Sequence, residues 1–162
     1  MKTEVRTEDP APYRLLGDIE NDTIARALQI LERRVNKADV MSDPSTVRSF
    51  LTLRAAHLEH EEFTVMFLDP HNRPLATETM FRGTLTQASV YPREIVKAAL
   101  RHNAAGVILS HNHPSGQADP SRADEYLTQT LKASLALVDV RVLDHVIVGG
   151  SSAVSMAERG LI

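Results

Sequence analysis

The sequence predicts an α/β domain in which one mixed sheet is flanked by helices. Two β-rich runs at 63–68 and 75–81 flank the turn cluster Asp69-Pro70-His71-Asn72-Arg73-Pro74, the pattern of a hairpin. From Pro92 onward, helix-period segments alternate with strand-type runs, which places helices against a sheet. The apolar run Ala104-Ala105-Gly106-Val107-Ile108-Leu109 has the composition of a buried central strand.

Each element can be read in turn. Residues 1–21 are polar, contain Pro10 and Pro12 and lack periodicity, so they read as a poorly ordered lead-in. A helix is expected from 23 to about 36, with Ile24, Leu28, Leu31 and Val35 at helical spacing and Asp22 as candidate N-cap. Asp43-Pro44-Ser45 opens a second helix to about residue 60, burying Val47, Phe50, Leu51 and Leu58. After the hairpin, Pro92 suits the first turn of a helix to about residue 103, with Ile95, Val96, Ala99 and Leu100 inward. The motif strand, a Pro/Gly loop and a helix from 121 to about 137 follow, and strands at 140–148 and 153–156 close the fold. The expected division is an N-terminal extension with one helix, 1–39, and a metal-binding domain, 40–162.

Composition narrows the chemistry. The 162 residues are 43% hydrophobic and 24% charged, ordinary for a globular protein, but only 4% aromatic, so aliphatic side chains must carry the packing. There is no cysteine, which removes disulfides, thiolate zinc sites and a cysteine nucleophile, and leaves His, Asp and Glu as the strong metal ligands. The chain lacks an apolar signal-type N-terminus and any run of membrane-spanning length, so a cytoplasmic location away from membranes is expected. The net charge of −3 resides in residues 1–23, and the neutral remainder lends little support to nucleic-acid binding. Arg93, Lys97 and Arg101 fall at i, i+4, i+8 and read as one solvated helix face; the alternative is contact with phosphate or an acidic partner.

Residues 110–124 carry the chemistry: Ser-His-Asn-His-Pro-Ser-Gly-Gln-Ala-Asp-Pro-Ser-Arg-Ala-Asp. His111 and His113, two apart at the end of a strand, share one of its faces. The chain then turns at Pro114 and Gly116, and Ser121 opens a helix that bears Asp124. Two imidazoles and a carboxylate make a three-ligand set with a fourth zinc position open, as catalysis requires. Ser121 and Asp124 also have the spacing of a capping box; the two readings coexist, because capping orients the ligand. His57, His71 and His102 read as surface side chains. His57, His60 and Glu61 could share a helical face, but neither His-Glu-x-x-His nor His-x-x-Glu-His is present to make a second zinc site. His145, beside Asp144, could be brought near the site by its strand, but a buried structural histidine is the favoured reading.

This pattern resembles the JAMM (MPN-type) metalloprotease motif of an upstream Glu, His-x-His-Pro, a spacer and Ser-x-x-Asp. It resembles the RadC-like branch more closely, through His-Asn-His-Pro-Ser-Gly at 111–116, Phe-Arg-Gly-Thr-Leu at 81–85, Val-Tyr-Pro-Arg-Glu-Ile-Val at 90–96, Arg-Val-Leu-Asp-His at 141–145 and Ala-Glu-Arg-Gly-Leu-Ile at 157–162. Asn112 stands where eukaryotic-type JAMM proteases usually have Ser or Thr, a difference the RadC-like branch shares. Longer RadC proteins also carry an N-terminal helix-hairpin-helix module, for which this chain is too short.

The resemblance implies an MPN-type fold with cytidine-deaminase-like layering, a Zn2+ cofactor on His111, His113 and Asp124, and a catalytic Glu just before the first hairpin strand. Glu59, Glu61 and Glu62 stand there. Glu61 fits the RadC-like pattern Glu-x-Phe-x-x-x-Phe-x-Asp through Phe63, Phe67 and Asp69, and alternation puts it on the face of Phe63 with Glu62 opposite. Cytidine deaminases themselves need His-x-Glu with Pro-Cys-x-x-Cys, which a chain without cysteine cannot supply.

Two neutral imidazoles and one carboxylate leave a zinc site with a net charge of about +1, which lowers the pKa of a bound water toward ~7. Glu61 would take the proton of that water and deliver it to the leaving amine, and the Ser121 hydroxyl would donate to the oxyanion. The expected function is zinc-dependent hydrolysis of a peptide, isopeptide or related amide. The alternative is a RadC-like DNA-repair-associated module, or one that interacts with nucleic acid or protein, with weak or no hydrolytic activity. MPN domains that act purely as scaffolds typically lack the ligands, which this chain keeps.

Overall fold

The computed structural model describes residues 12–37, 44–83 and 90–162. Its helices are α1 (Pro12–Lys37), α2 (Pro44–Ala55), α3 (Pro92–Arg101) and α4 (Arg122–Ala136). Its strands are β1 (Glu62–Leu68), β2 (Pro74–Arg82), β3 (Gly106–Asn112), β4 (Arg141–Gly149) and β5 (Ser152–Ser155). They form one sheet in the order β2-β1-β3-β4-β5, with β3 and β4 parallel and the other three pairings antiparallel. The α/β class with a mixed sheet flanked by helices is the one the sequence predicts.

The sheet is covered on both faces, which explains why β1 and β3 read as continuous apolar runs. On one face Phe63, Val65, Phe67, Val107 and Leu109 pack with Ile95 of α3 and with Leu131 and Leu135 of α4. On the other, Met66, Leu68, Ile108, Val146 and Val148 pack with Val47, Phe50 and Leu51 of α2, and Leu28 and Leu31 of α1 lie against this second core. The hairpin turn is organised by Asp69, which accepts the backbone N–H groups of His71 and Arg73, each at 2.8 Å, and Arg73 Nε at 2.6 Å.

Several boundaries differ from those expected. The first helix begins at Pro12 rather than near residue 23, so Asp22 lies inside it and residues 12–21 are helical. Pro12 suits a first helical position. Residues 18–23 all face solvent, Ile19 at 61% exposure, so this stretch displays no apolar stripe. Residues 1–11 of the expected lead-in lie outside the described residues. The second helix stops at Ala55, not near 60, because the chain must turn through residues 56–61 to enter β1; Leu58 is half-buried beyond the helix. The third stops at Arg101, where Asn103 takes a left-handed φ of 51°. Leu100 points outward at 58% exposure, and Ala98 joins Ile95 and Ala99 in the core instead.

His102 is not a surface side chain. Its ring lies against Phe67 with centroids 4.8 Å apart, and Nε2 sits 2.6 Å from Glu78 Oε1, tying α3 to β2. His57 and His71 are exposed, as expected. Arg93, Lys97 and Arg101 form a solvated face, paired to Glu94, Glu94 and Glu78 respectively.

Candidate metal centre

β3 runs through the middle of the sheet and delivers His111 and His113 at its C-terminal end. Phe63 is the partner of His111 across the β1–β3 ladder, and their rings stack with centroids 6.1 Å apart. The following loop leads into α4, whose N-cap is Ser121. Ser121 Oγ accepts the Asp124 N–H at 3.2 Å, and the Asp124 carboxylate accepts the Ser121 N–H at 2.7 Å. The capping box therefore forms, and it aims Asp124 at the two histidines.

The three candidate ligand groups converge. His111 Nε2 lies 3.0 Å from His113 Nε2 and 3.1 Å from Asp124 Oδ1, and His113 Nε2 lies 3.5 Å from Asp124 Oδ2. A tetrahedral site with metal–ligand distances of about 2.0–2.1 Å separates its ligand atoms by about 3.3–3.4 Å. The observed triangle fits such an ion. Among the described residues this is the one grouping of three metal-ligating side chains. The segment 57–61 holds no second one, since α2 ends before it.

Hydrogen bonds behind the rings determine which nitrogens are bare. The His113 Nδ1–H donates to the Gln117 carbonyl at 2.7 Å, which leaves Nε2 as the lone-pair nitrogen of the neutral ring. For His111 the assignment runs through a chain of three bonds. Thr128 Oγ1 donates to the Asp124 carbonyl, four residues earlier in α4, at 2.6 Å; Met156 Sδ, at 3.6 Å, is the weaker acceptor. Having spent its proton, that hydroxyl accepts from His145 Nδ1 at 2.6 Å. His145 Nε2 must then accept from His111 Nδ1, at 2.8 Å, and His111 Nε2 is left bare. Two lone pairs facing each other at 3.0 Å beside a carboxylate call for a proton or a metal cation between them. This donor set supplies a place for one.

In the metal-free site a proton competes with a metal cation for the same Nε2 positions. Burial pushes the His145 pKa well below the ordinary histidine range, so the ring is neutral as the chain requires. Burial would raise the Asp124 carboxyl, but hydrogen bonds from His111 and His113, made when these rings carry a proton on Nε2, and from Ser121 outweigh it and hold the group ionised far below the usual carboxylate range. The His113 pKa is raised, chiefly by its hydrogen bond to Asp124 and against burial, with smaller contributions from the Gln117 carbonyl and the charge of Glu61.

The loop that carries Gln117 needs Gly149. A Cβ there would lie 2.4 Å from Ala118 N and 2.5 Å from the Gln117 carbonyl carbon, so the loop can rest on the end of β4 only over a glycine. The His113 N–H donates to the Val148 carbonyl at 2.8 Å and completes the anchorage.

Glu61 stands just before β1, half-buried, with its carbonyl accepting the Gly83 N–H at 2.8 Å. One step beyond the Phe63–His111 pair, the alternation carries it toward His113, whose pKa its charge raises. Glu62 turns to the other face, where it meets His60 at 2.8 Å and Thr79 at 3.3 Å. Glu59 is exposed. Of the three glutamates before the hairpin, Glu61 is the one on the side of the triad. Sequence reasoning left His145 between a place near the site and a buried structural role, and it missed Thr128, which links that ring to α4. Their signal was faint: a Thr on the inner face of a helix that already carries a candidate ligand, and a His in a strand parallel to the ligand strand.

A mixed sheet whose central strand ends in His-x-His, followed by a helix headed by a carboxylate that could ligate a metal with them, defines a JAB-type α/β domain. The chain belongs to the RadC-like JAB domain family, whose model matches residues 41–161. Its similar relatives include a UPF0758 protein of Leptothrix cholodnii, 52% identical over 161 residues, 95% of this chain and 72% of that protein. Another, from Acidovorax sp. strain JS42, is 59% identical over 136 residues, 84% of this chain and 57% of that protein. A third, from Nitrosospira multiformis, is 59% identical over 136 residues, 84% of this chain and 61% of that protein. The chain thus spans less than two thirds of the length of the last two. Among the described residues no helix is long and apolar enough to cross a membrane.

Proposed function

We infer that this domain is a zinc-dependent hydrolase of metallopeptidase or isopeptidase type, acting on an amide carbonyl. The observation that carries this reading is the convergence of two bare imidazole Nε2 atoms and the Asp124 carboxylate, with the Glu61 carboxylate on the same side of the sheet. When bound, zinc supplies Lewis acidity and makes a water-derived nucleophile available at neutral pH. His111, His113 and Asp124 hold the ion, with their orientations set by His145, the Gln117 carbonyl and the capping box. Glu61 accepts the proton of the attacking water and passes it to the departing amine as the C–N bond breaks. The Ser121 hydroxyl, which donates to Asp124 Oδ2 at 2.7 Å, turns to donate to the oxygen that gains charge in the tetrahedral intermediate.

The test is to expose a peptide library drawn from a whole proteome to the zinc-loaded chain and to its Glu61→Gln variant, then count newly formed amino termini and lysine amines. The expected result is new amines with the wild type and none with the variant, while both retain about one zinc per chain. Equal yields from the two proteins, or loss of zinc from the variant, would overturn the role of Glu61.

A further inference from the structure

Asn112, between the two histidines, has no part in the scheme above, yet it is 2% exposed and both ends of its carboxamide are engaged. It faces away from the triad because alternate residues of a strand point to opposite sides. Its Oδ1 accepts the Glu62 N–H at 2.8 Å, and its Nδ2 donates to the His60 carbonyl at 2.9 Å. These two groups flank Glu61.

The backbone pairing of β1 with β3 ends at Phe63 and His111. Past that pair the Asn112 side chain takes over the role of a neighbouring strand, offering one acceptor and one donor where the ladder stops. The Gly83 N–H holds the Glu61 carbonyl from the other side. Three consecutive residues around Glu61 are thus tied by their backbone, and two of the ties come from a single side chain on the strand that also bears His111 and His113. Among residues of this size, a carboxamide alone carries both functions: Asp has no donor, and Ser is shorter with a single hydrogen.

We propose that Asn112 is a positioning residue, whose carboxamide clamps the backbone on both sides of Glu61 and so sets the Glu61 carboxylate over the metal triad. This rests on the reading of Glu61 as the base. The clamp couples base and ligands mechanically, since any shift of the end of β3 moves both.

Cobalt(II) bound to the whole chain is a suitable probe, because its visible spectrum reports the surroundings of the open coordination position without any substrate. Glu61→Gln should change that spectrum. Asn112→Ser and Asn112→Asp should reproduce the change while retaining one cobalt per chain, and adding either to Glu61→Gln should produce no further change. A merely structural Asn112 would lower the thermal midpoint and leave the spectrum as in the wild type, which overturns the proposal while the role of Glu61 stands. Loss of cobalt from the Asn112 variants also overturns it, since the residue would then act on the ligands. If Glu61→Gln leaves the spectrum unchanged, the assignment of Glu61 fails, and the clamp with it. The wild type offers a check independent of how variants fold: the Glu62 amide should exchange slowly with solvent, and free exchange overturns the clamp.

Discussion

The two histidines of the candidate centre are held in opposite ways. His111 is 2% exposed, stacked on Phe63 and oriented by two further side chains, His145 and Thr128, that lead back to the α4 backbone. His113 has a 20% exposed side chain and is oriented by one carbonyl in a loop that is kept in place by its fit over Gly149. Both devices end in the same result, a bare Nε2. The buried ligand depends on packing and on a neutral neighbour. The exposed one depends on the path of the main chain.

The comparison can be broken most forcefully at the candidate ligands themselves. His113→Ala and Asp124→Ala should each reduce bound zinc from about one per chain to near none. Metal analysis with equal zinc in both variants and the wild type would remove the centre altogether. On the strand side, His145→Ala should weaken metal binding by roughly 10- to 100-fold, because the His111 Nδ1–H loses its acceptor and the ring its orientation. Competition with a chelator of known affinity measures this.

On the loop side, Gly149→Ala should cost about 1–3 kcal/mol of stability, since the Cβ has no room and the loop must shift. If the loop carbonyl orients His113, metal affinity should fall as well. Lost stability with unchanged affinity would mean that the strand half alone holds the site. A smaller effect is expected for Ser121→Ala, about 0.5–2 kcal/mol for loss of the N-cap, read from denaturant unfolding of the metal-free protein.

The smallest effect lies far from the centre, at Glu78. Burial raises its pKa, but His102 and Arg101 outweigh this, and the net shift is downward. A carboxyl with a depressed folded pKa adds stability above its unfolded value of 4.5, and that stability is lost as the pH falls through the folded value. Glu78→Gln should therefore narrow the stability difference between neutral and acidic pH in a thermal scan, without touching zinc content at neutral pH.

What was legible in the sequence follows the range of the interactions involved. His-x-His at a strand end and Ser-x-x-Asp at a helix start are local patterns, and both took the expected form. The mixed sheet was legible because β1 and β3 are apolar on both faces and the β1–β2 turn has strong turn chemistry. Helix ends were overrun in α2 and α3, because a 3.6-residue period persists past the point where the chain has to turn; Asn103 ends α3 through a backbone conformation that periodicity does not register. The early start of α1 was hidden for the opposite reason, since residues 18–23 face solvent and display no stripe. The link from His111 to Thr128 was illegible because it needs the spacing between α4 and β4, which arises from packing across the sheet.

Position 117 lends the centre only a main-chain oxygen, and its own side chain faces solvent. Any amino acid that follows the same path supplies that oxygen equally well. Residues 115 and 117 at the rim are exposed in the same way. The side chain at 117 can therefore change in size and charge without disturbing the geometry of the ligand groups underneath, whereas Ser115 Oγ accepts the Gln117 N–H at 3.5 Å and helps hold the loop. At position 117 the main chain serves the centre while the side chain belongs to the outer surface.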